Sequence, residues 1–128
     1  AQSLVIDEKA LWSRVDDDTK LVDTMAKLFL KDSPKMMKKM KLSLENEDIE
    51  SLASAAHSLA GSDGNFAAPA AVMAARHLEA AARAQDLTTT EEAYNELARE
   101  MQALKKALTR LRRRVKSRRG QPSADSSV

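Results

Sequence analysis

Cysteine is absent from the sequence, and glycine, proline and aromatic residues are scarce, with three, three and four representatives among 128 residues. The lack of cysteine excludes disulfide bonds, thiolate catalysis and cysteine-based zinc sites, and two histidines argue against a histidine-rich metal site. Few helix-breaking residues, together with abundant Ala, Leu, Met, Lys and Glu, favour helices over turn-rich sheets. A chain of this length is therefore expected to form one all-α domain with a single core.

Long apolar runs are also missing. No segment approaches the roughly 20 apolar residues that span a bilayer, and the start AQSLVIDEK lacks the basic-then-apolar order of a secretion signal. The sequence therefore predicts no direct membrane contact and fits a cytoplasmic location. A chain that begins at Ala1 is compatible with a piece cut from a longer protein, whose cellular address it would share.

The net charge of +2 conceals two oppositely charged parts of the chain. Residues 1–104 hold 12 basic and 18 acidic side chains, a net charge of −6, whereas residues 105–128 hold nine and one, a net charge of +8. The basic run TRLRRRVKSRR has no aromatic residue for base stacking, and its Leu111 and Val115 continue a helical apolar stripe. A solvated helix end explains this run best, so no nucleic-acid partner is expected.

Capping residues and the spacing of apolar side chains predict six helical segments. The first segment is 7–14, capped by Asp7, and the second runs from Asp16–Asp18 to about Asp32. The third begins at Ser33 and Pro34 and runs through Leu44, and the fourth runs from Asp48 to Asn65. The fifth runs from Pro69 to about Gln85, and the sixth covers about 90–116 after the cap Thr89. From Ser117 onward the apolar periodicity ends, which predicts a disordered tail.

Four long amphipathic helices joined by short loops most simply make an up-down-up-down four-helix bundle. A short N-terminal helix precedes the bundle in this prediction, and an extended C-terminal helix completes it. We expect residues 1–111 to form the bundle domain and residues 112–128 to be a basic helix end with the disordered tail.

The segment AHSLAGSDGNF, residues 56–66, contains the most informative functional pattern. His57 lies one helical turn before Gly61 and two turns before Gly64, so the three residues share one side of a helix. The two glycines leave a bare patch beside the imidazole, which a partner's backbone could approach closely. A buried core histidine needs no such patch, so the pattern indicates a docking surface around a nucleophile.

This segment resembles the signature of the histidine phosphotransfer (HPt) family, which is a histidine, any residue, an apolar residue, a lysine, a glycine and then small residues. The matching positions are His57, Leu59, Gly61, Ser62 and Gly64. The resemblance spans roughly residues 4–111 and implies that 1–111 are a phosphotransfer domain. It further implies that His57 takes a phosphoryl group from an aspartyl phosphate on a receiver domain and passes it to another receiver aspartate in a phosphorelay.

The same resemblance implies the partners and the setting. Response-regulator receiver domains and a sensor histidine kinase are the expected partners, and magnesium is expected in the receiver, with no metal or other cofactor on this chain. The module would have no independent active site. It would be a free-standing carrier or the C-terminal domain of a hybrid sensor histidine kinase, on the cytosolic face of the membrane if that kinase is membrane-bound.

Ala60 departs from the family pattern because it stands where the family has a lysine. With Gly61 and Gly64 it belongs to the predicted docking surface, but it brings no positive charge to the phosphoryl group. Slower transfer or a less stable phosphohistidine is expected, since losing one charge-assisted contact costs about 1.5 to 3 kcal/mol. Arg76 or Arg83 on the next helix is a candidate to supply that charge.

Two alternative functions stay open at the level of the sequence. The first is a module of the same fold that binds a receiver without turning phosphate over, which the missing lysine makes conceivable. The second is an adaptor that acts through its long C-terminal helix and basic tail.

Overall fold

The computed structural model describes residues 5–120, with side chains as far as Ser117. Over this range the chain forms five α-helices and no β-strand. The helices are α1 (Glu8–Arg14), α2 (Thr19–Glu45), α3 (Ile49–Gly64), α4 (Pro69–Arg83) and α5 (Leu87–Gly120).

Helices α2 to α5 form the four-helix bundle that the sequence predicts. Helix α3 packs against α2 and α4, and α5 closes the bundle by packing against α4 and α2. The facing sides of α3 and α4 are rich in alanine, which lets the two helix backbones approach closely. The all-α bundle with a short N-terminal helix and a long C-terminal helix is therefore confirmed.

The prediction that one helix ends near Asp32 and another begins at Ser33 is wrong. The structure has one continuous helix of 27 residues, with Pro34 inside it. An internal proline costs about 3 kcal/mol because it removes a backbone hydrogen bond and crowds the preceding turn. The cost is tolerated because the buried face continues across it, from Phe29 through Ser33 to Met40.

Aspartate caps begin four of the helices. The side chains of Asp7, Asp18 and Asp48 each accept a hydrogen bond from the backbone N–H three residues later, as the sequence predicts. Helix α5 differs, because its cap is Asp86 and not Thr89. The backbone N–H and the hydroxyl of Thr89 both donate to the Asp86 carboxylate, at 3.1 and 2.7 Å, so the helix begins three residues earlier than expected.

The C-terminal part of α5 lies against the bundle. Leu111 and Val115 are each only 2% exposed. Two ion pairs tie this end to α2 and α1, from Arg112 Nε to Asp23 Oδ1 at 2.9 Å and from Arg114 Nη2 to Glu8 Oε2 at 2.8 Å. Two arginines of the basic run therefore have intramolecular partners.

Helix α5 also continues to Gly120, past Ser117, where the end of the apolar periodicity predicts that the helix stops. The remainder of the predicted tail, 121–128, lies outside the described residues. Across residues 5–120, no helix combines the length and the apolar content that crossing a bilayer requires.

Candidate functional site

His57 lies on the flank of the buried face of α3. That face consists of residues three or four positions apart, which pack between α2 and α4: Leu52, Ala53, Ala56, Leu59 and Ala60. His57 follows Ala56 directly and is rotated out of the core, so its side chain is 75% exposed. The imidazole is thus carried by a rigid helix and is open to solvent.

A carboxylate from α4 orients the imidazole. His57 Nδ1 lies 3.1 Å from Glu79 Oε1, and the side chain of Glu79 is only 19% exposed. The other carboxylate oxygen of Glu79 accepts a hydrogen bond from Arg83 Nε at 3.1 Å, and Arg83 Nη2 forms an ion pair with the same oxygen at 3.1 Å. His57, Glu79 and Arg83 therefore form one hydrogen-bonded chain across α3 and α4.

The charge state of Glu79 follows from these contacts. Partial burial acts to raise its pKa, but the hydrogen bonds from His57 and Arg83 and the guanidinium charge outweigh burial, so the pKa lies below its ordinary value. Glu79 is thus an ionised carboxylate at neutral pH, with acceptor atoms only.

The glycines beside His57 leave open space that the fold itself does not use. A Cβ atom placed at Gly61 would meet nothing within 4 Å, and at Gly64 it would meet only Val72 Cγ2 at 3.9 Å, an ordinary contact. Glycine inside a helix is less stable than alanine by roughly 1 kcal/mol. Internal packing gives no reason for this loss at Gly61, so the bare surface is available to a molecule outside the bundle.

Ala60 occupies a different environment from the two glycines. Its side chain is only 6% exposed and lies in the interface that α3 makes with its neighbours. Of the three residues predicted to surround His57 on the surface, Gly61 is exposed, Gly64 is partly exposed and Ala60 is nearly buried. A longer side chain at position 60 would have to extend along the helix to reach solvent.

Arg76 and Arg83, the two predicted replacements for the missing lysine charge, lie in different places. Arg83 contacts Glu79 and reaches His57 only through that carboxylate. Arg76 lines a groove with Arg14 and Gly64, beyond the end of α3. The structure thus brings Arg83 into the histidine network and leaves Arg76 outside it.

Two grooves run between α2 and α3 on the side of α3 away from Glu79. Lys39 of α2 lines a polar groove together with Ser54 and Ser58, the second of which directly follows His57. A second groove is mainly apolar and lies further along α3, with Leu28 and Met36 among its lining residues. Leu28 is 54% exposed, although the sequence pattern groups it with the apolar residues of its helix.

Asp63 is a buried carboxylic acid at the end of α3. It is completely inaccessible to solvent, and neither side-chain oxygen has a hydrogen-bond partner among the described residues. Burial raises its pKa from the usual 3.8 to about 7. The sequence contains a signal for this position, because Asp63 lies three residues after Ala60 and seven after Ala56 and so continues the buried face.

The described residues contain no group of three or more histidine, aspartate or glutamate side chains able to hold a metal ion. What the structure defines is a helical bundle that presents one oriented, exposed histidine beside a bare glycine surface. This is the class of helical bundles that carry a histidine on their surface.

Comparison with known proteins gives the family. The family model described as "Hpt domain" matches residues 24–113. The chain belongs to this family of histidine phosphotransfer domains, and its activity is histidine phosphotransfer in a phosphorelay.

A solved structure supports the fold. The crystal structure of histidine-containing phosphotransfer protein B (HptB) from Pseudomonas aeruginosa matches with a TM-score of 0.81, over 88% of this chain and 98% of that one, at 21% sequence identity. At this identity the likeness establishes the shared fold. No curated protein matches the chain in sequence.

Proposed function

We propose that His57 accepts a phosphoryl group from the aspartyl phosphate of a receiver domain and passes it to the aspartate of another receiver. One observation carries this proposal: His57 is 75% exposed on α3, and Gly61, one turn later, borders open space that the fold does not fill. A partner's phosphorylated side chain can therefore approach the imidazole without displacing any part of the bundle.

The chemistry divides between the two proteins. Phosphoryl transfer needs in-line positioning and stabilisation of the charge on the moving group. This chain supplies a nucleophilic nitrogen on a rigid helix, whereas the receiver is proposed to supply the acidic pocket and its magnesium ion. Exposed apolar side chains such as Leu28 near the α3 face support docking of a protein partner.

Under this proposal the chain works in the cytoplasm, with receiver domains and a sensor histidine kinase as partners. It is a free-standing carrier or the C-terminal domain of a hybrid kinase, and it lies on the cytosolic face of the membrane if that kinase is membrane-bound. The ion pairs of Arg112 and Arg114 support a structural role for the end of α5 and weigh against an adaptor that binds through these two arginines.

Replacement of His57 by glutamine tests the proposal directly. Receiver domains charged with ³²P from labelled acetyl phosphate in the presence of Mg²⁺ are mixed with the protein. The wild type is expected to acquire acid-labile, alkali-stable label, and His57→Gln none, because glutamine has no nucleophilic ring nitrogen. His77→Gln is the matched control, since His77 is also an exposed histidine paired with a glutamate, and it should label like wild type. Equal labelling of wild type and His57→Gln would refute the proposal.

The alanine at position 60 gives a second prediction. Ala60→Lys is expected to speed transfer about tenfold, because a charge-assisted contact with the phosphoryl group contributes about 1.5 to 3 kcal/mol and is weakened here by solvent. Ala60→Met is the control, since it adds a flexible stem of comparable reach without the charge. Single-turnover transfer from the labelled receiver measures both variants, and equal rates for the two would show that charge at this position is unimportant.

A second candidate function is receiver binding without phosphate turnover. It is favoured by Ala60, which provides no cation, and by Arg83, whose charge is engaged by Glu79. Tight receiver binding in calorimetry together with absent ³²P label on the wild type would support this candidate over phosphotransfer.

A further inference from the structure

The C-terminal half of α5 has an exposed side on which every charge is positive. Residues 105–117 contain seven basic residues and no aspartate or glutamate. Two of the seven, Arg112 and Arg114, form ion pairs with Asp23 and Glu8. The side chains of the other five are exposed and have no ion-pair or hydrogen-bond partner among the described residues. We call these five residues the α5 basic face: Lys105, Lys106, Arg110, Arg113 and Lys116.

The helix directs the α5 basic face away from the bundle. Successive residues of an α-helix are rotated by about 100°, so the five side chains fall within about 140° of the circumference of α5 and along about 17 Å of its length. Arg112 and Arg114 lie at the two edges of this arc, where they pair with α2 and α1. The opposite side of the helix is buried in the core, through Leu104, Leu108, Leu111 and Val115.

The α5 basic face and His57 lie on diagonally opposite helices. Helix α5 packs against α4 and α2, and α3 packs against the same two helices, with no contact between α3 and α5 in the part of the chain that the structure describes. A large molecule bound to the α5 basic face therefore leaves His57 and the surface at Gly61 uncovered.

We propose that the α5 basic face is a docking surface for an anionic phospholipid bilayer, which it contacts at the level of the headgroups. Clusters of roughly four to eight Lys and Arg residues on one helix are attracted to such surfaces. Residues 1–104 have a net charge of −6 and are repelled by the same bilayer, which favours one orientation of the molecule. This proposal is independent of phosphotransfer.

The contact is electrostatic and needs no apolar segment. The apolar side of α5 is occupied by the core, so the helix has no apolar face to insert among the lipid chains. The sequence predicts no direct membrane contact because it lacks long apolar runs. Adsorption of a folded basic surface is a different mode of contact, which such runs do not report.

A planar anionic surface fits the α5 basic face better than a nucleic-acid duplex does. A helix in the major groove, which is about 12 Å wide, has phosphates along both of its edges. The edges of the α5 basic face are bordered by the carboxylates of Asp23 and Glu8, and the exposed Asp16–Asp18 follow α1. Phosphates at these edges would meet negative charge. Residues 105–117 also lack an aromatic side chain on which single-stranded bases could stack.

Sedimentation of the full 128-residue chain with phospholipid vesicles tests the proposal. The protein is expected to bind vesicles of phosphatidylcholine that contain one quarter phosphatidylglycerol, and not vesicles of phosphatidylcholine alone. Raising NaCl from about 0.1 to 1 M shortens the Debye length from about 10 to 3 Å and should release the protein. Equal binding to both kinds of vesicle, or no binding to either, would overturn the proposal.

Neutralising the centre of the α5 basic face should weaken this binding. The triple variant Lys106→Gln, Arg110→Gln, Arg113→Gln is expected to have a partition coefficient at least tenfold lower, because each basic residue near an anionic surface strengthens binding roughly fivefold. Glutamine is a good helix former and the three side chains are exposed, so the helical circular dichroism should be unchanged.

Three exposed lysines of α2 provide the matched control. Lys35→Gln, Lys38→Gln, Lys41→Gln removes the same number of charges from another helix and should bind within about threefold of wild type. Equal loss of binding in the two triple variants would show that net charge is responsible, and the α5 basic face would not be the docking surface.

The exposure of His57 on vesicles tests the orientation. Modification by diethyl pyrocarbonate, followed by mass spectrometry, should be as fast for His57 in the vesicle-bound protein as in solution. Strong protection of His57 would place the lipid on the wrong side of the bundle and contradict the proposal. Binding to a mixed-sequence DNA duplex without binding to anionic vesicles would identify nucleic acid as the partner instead.

Discussion

Replacement of Asp63 by asparagine is expected to raise the free energy of unfolding at pH 8 by up to about 4 kcal/mol. Asp63 is fully buried without a hydrogen-bond partner among the described residues, and burial raises its pKa to about 7. The size follows from 1.36 kcal/mol per pH unit across the interval between the usual pKa of 3.8 and about 7. Because domains of this size are stable by only about 5 to 15 kcal/mol, the effect is large.

The direction with pH follows from proton linkage. Below pH 3.8 the carboxyl is protonated in both the folded and the unfolded chain, so the ionisation of Asp63 does not lower the free energy of unfolding. Between pH 3.8 and about 7 the unfolded chain releases the proton first, so the free energy of unfolding falls as the pH rises. Above about pH 7 the carboxyl is ionised in both states, and the free energy of unfolding falls no further.

Urea unfolding followed by circular dichroism between pH 4 and 8 measures this dependence. The difference in the free energy of unfolding between Asp63→Asn and wild type should grow as the pH rises and level off near pH 8. Asp32→Asn is the control, because Asp32 is an exposed aspartate of the neighbouring helix α2. If the difference between wild type and Asp63→Asn is the same at pH 4 and pH 8, Asp63 does not titrate in the folded protein as described.

Replacement of Gly61 by glutamine is expected to stabilise the protein and at the same time to slow phosphotransfer by at least tenfold. Gly61 is exposed within α3, and an added Cβ meets no atom within 4 Å. Glutamine is a better helix former than glycine by roughly 0.5 to 1 kcal/mol, so the free energy of unfolding should rise by that amount. The new side chain covers the surface one turn from His57 and obstructs the receiver.

The opposite signs of the two effects separate docking from folding. Gly61→Ala should gain at least as much stability, about 1 kcal/mol, because alanine is the best helix former. Its loss of rate should be smaller, since a single methyl group obstructs less. Thr24→Gln places the same side chain at an exposed position of α2, and it should transfer at the wild-type rate. A Gly61→Gln variant that transfers as fast as wild type would show that this surface lies outside the receiver contact.

Gly61 and Asp63 show how far sequence reasoning extends along one helix. The spacing of His57, Gly61 and Gly64 predicts a bare surface beside the imidazole, and the structure finds open space there. The same periodicity places Asp63 on the buried face, because a helix repeats every 3.6 residues whatever the chemistry of the side chain. Local spacing decides exposure, so both features can be inferred before a structure is known.

Helix ends were less predictable where local signals competed with packing. Ser33 and Pro34 have the pattern of a helix start, but α2 runs through them because its buried face continues on both sides. A capping preference amounts to about 1 kcal/mol, whereas several buried side chains together contribute more. Asp86 and Thr89 both resemble caps, and hydrogen-bond geometry selected Asp86.

The sequence by itself determined the all-α bundle, the exposed position of His57 and its place in the phosphotransfer signature, because these depend on residue spacing within single helices. Only the tertiary structure decided that Glu79 meets His57 Nδ1 and that Arg76 lies outside the histidine network. The i,i+4 spacing of Glu79 and Arg83 is visible in the sequence. Their link to His57, 22 residues before Glu79, depends on how α3 and α4 are rotated against each other, which close packing of the two alanine-rich faces fixes.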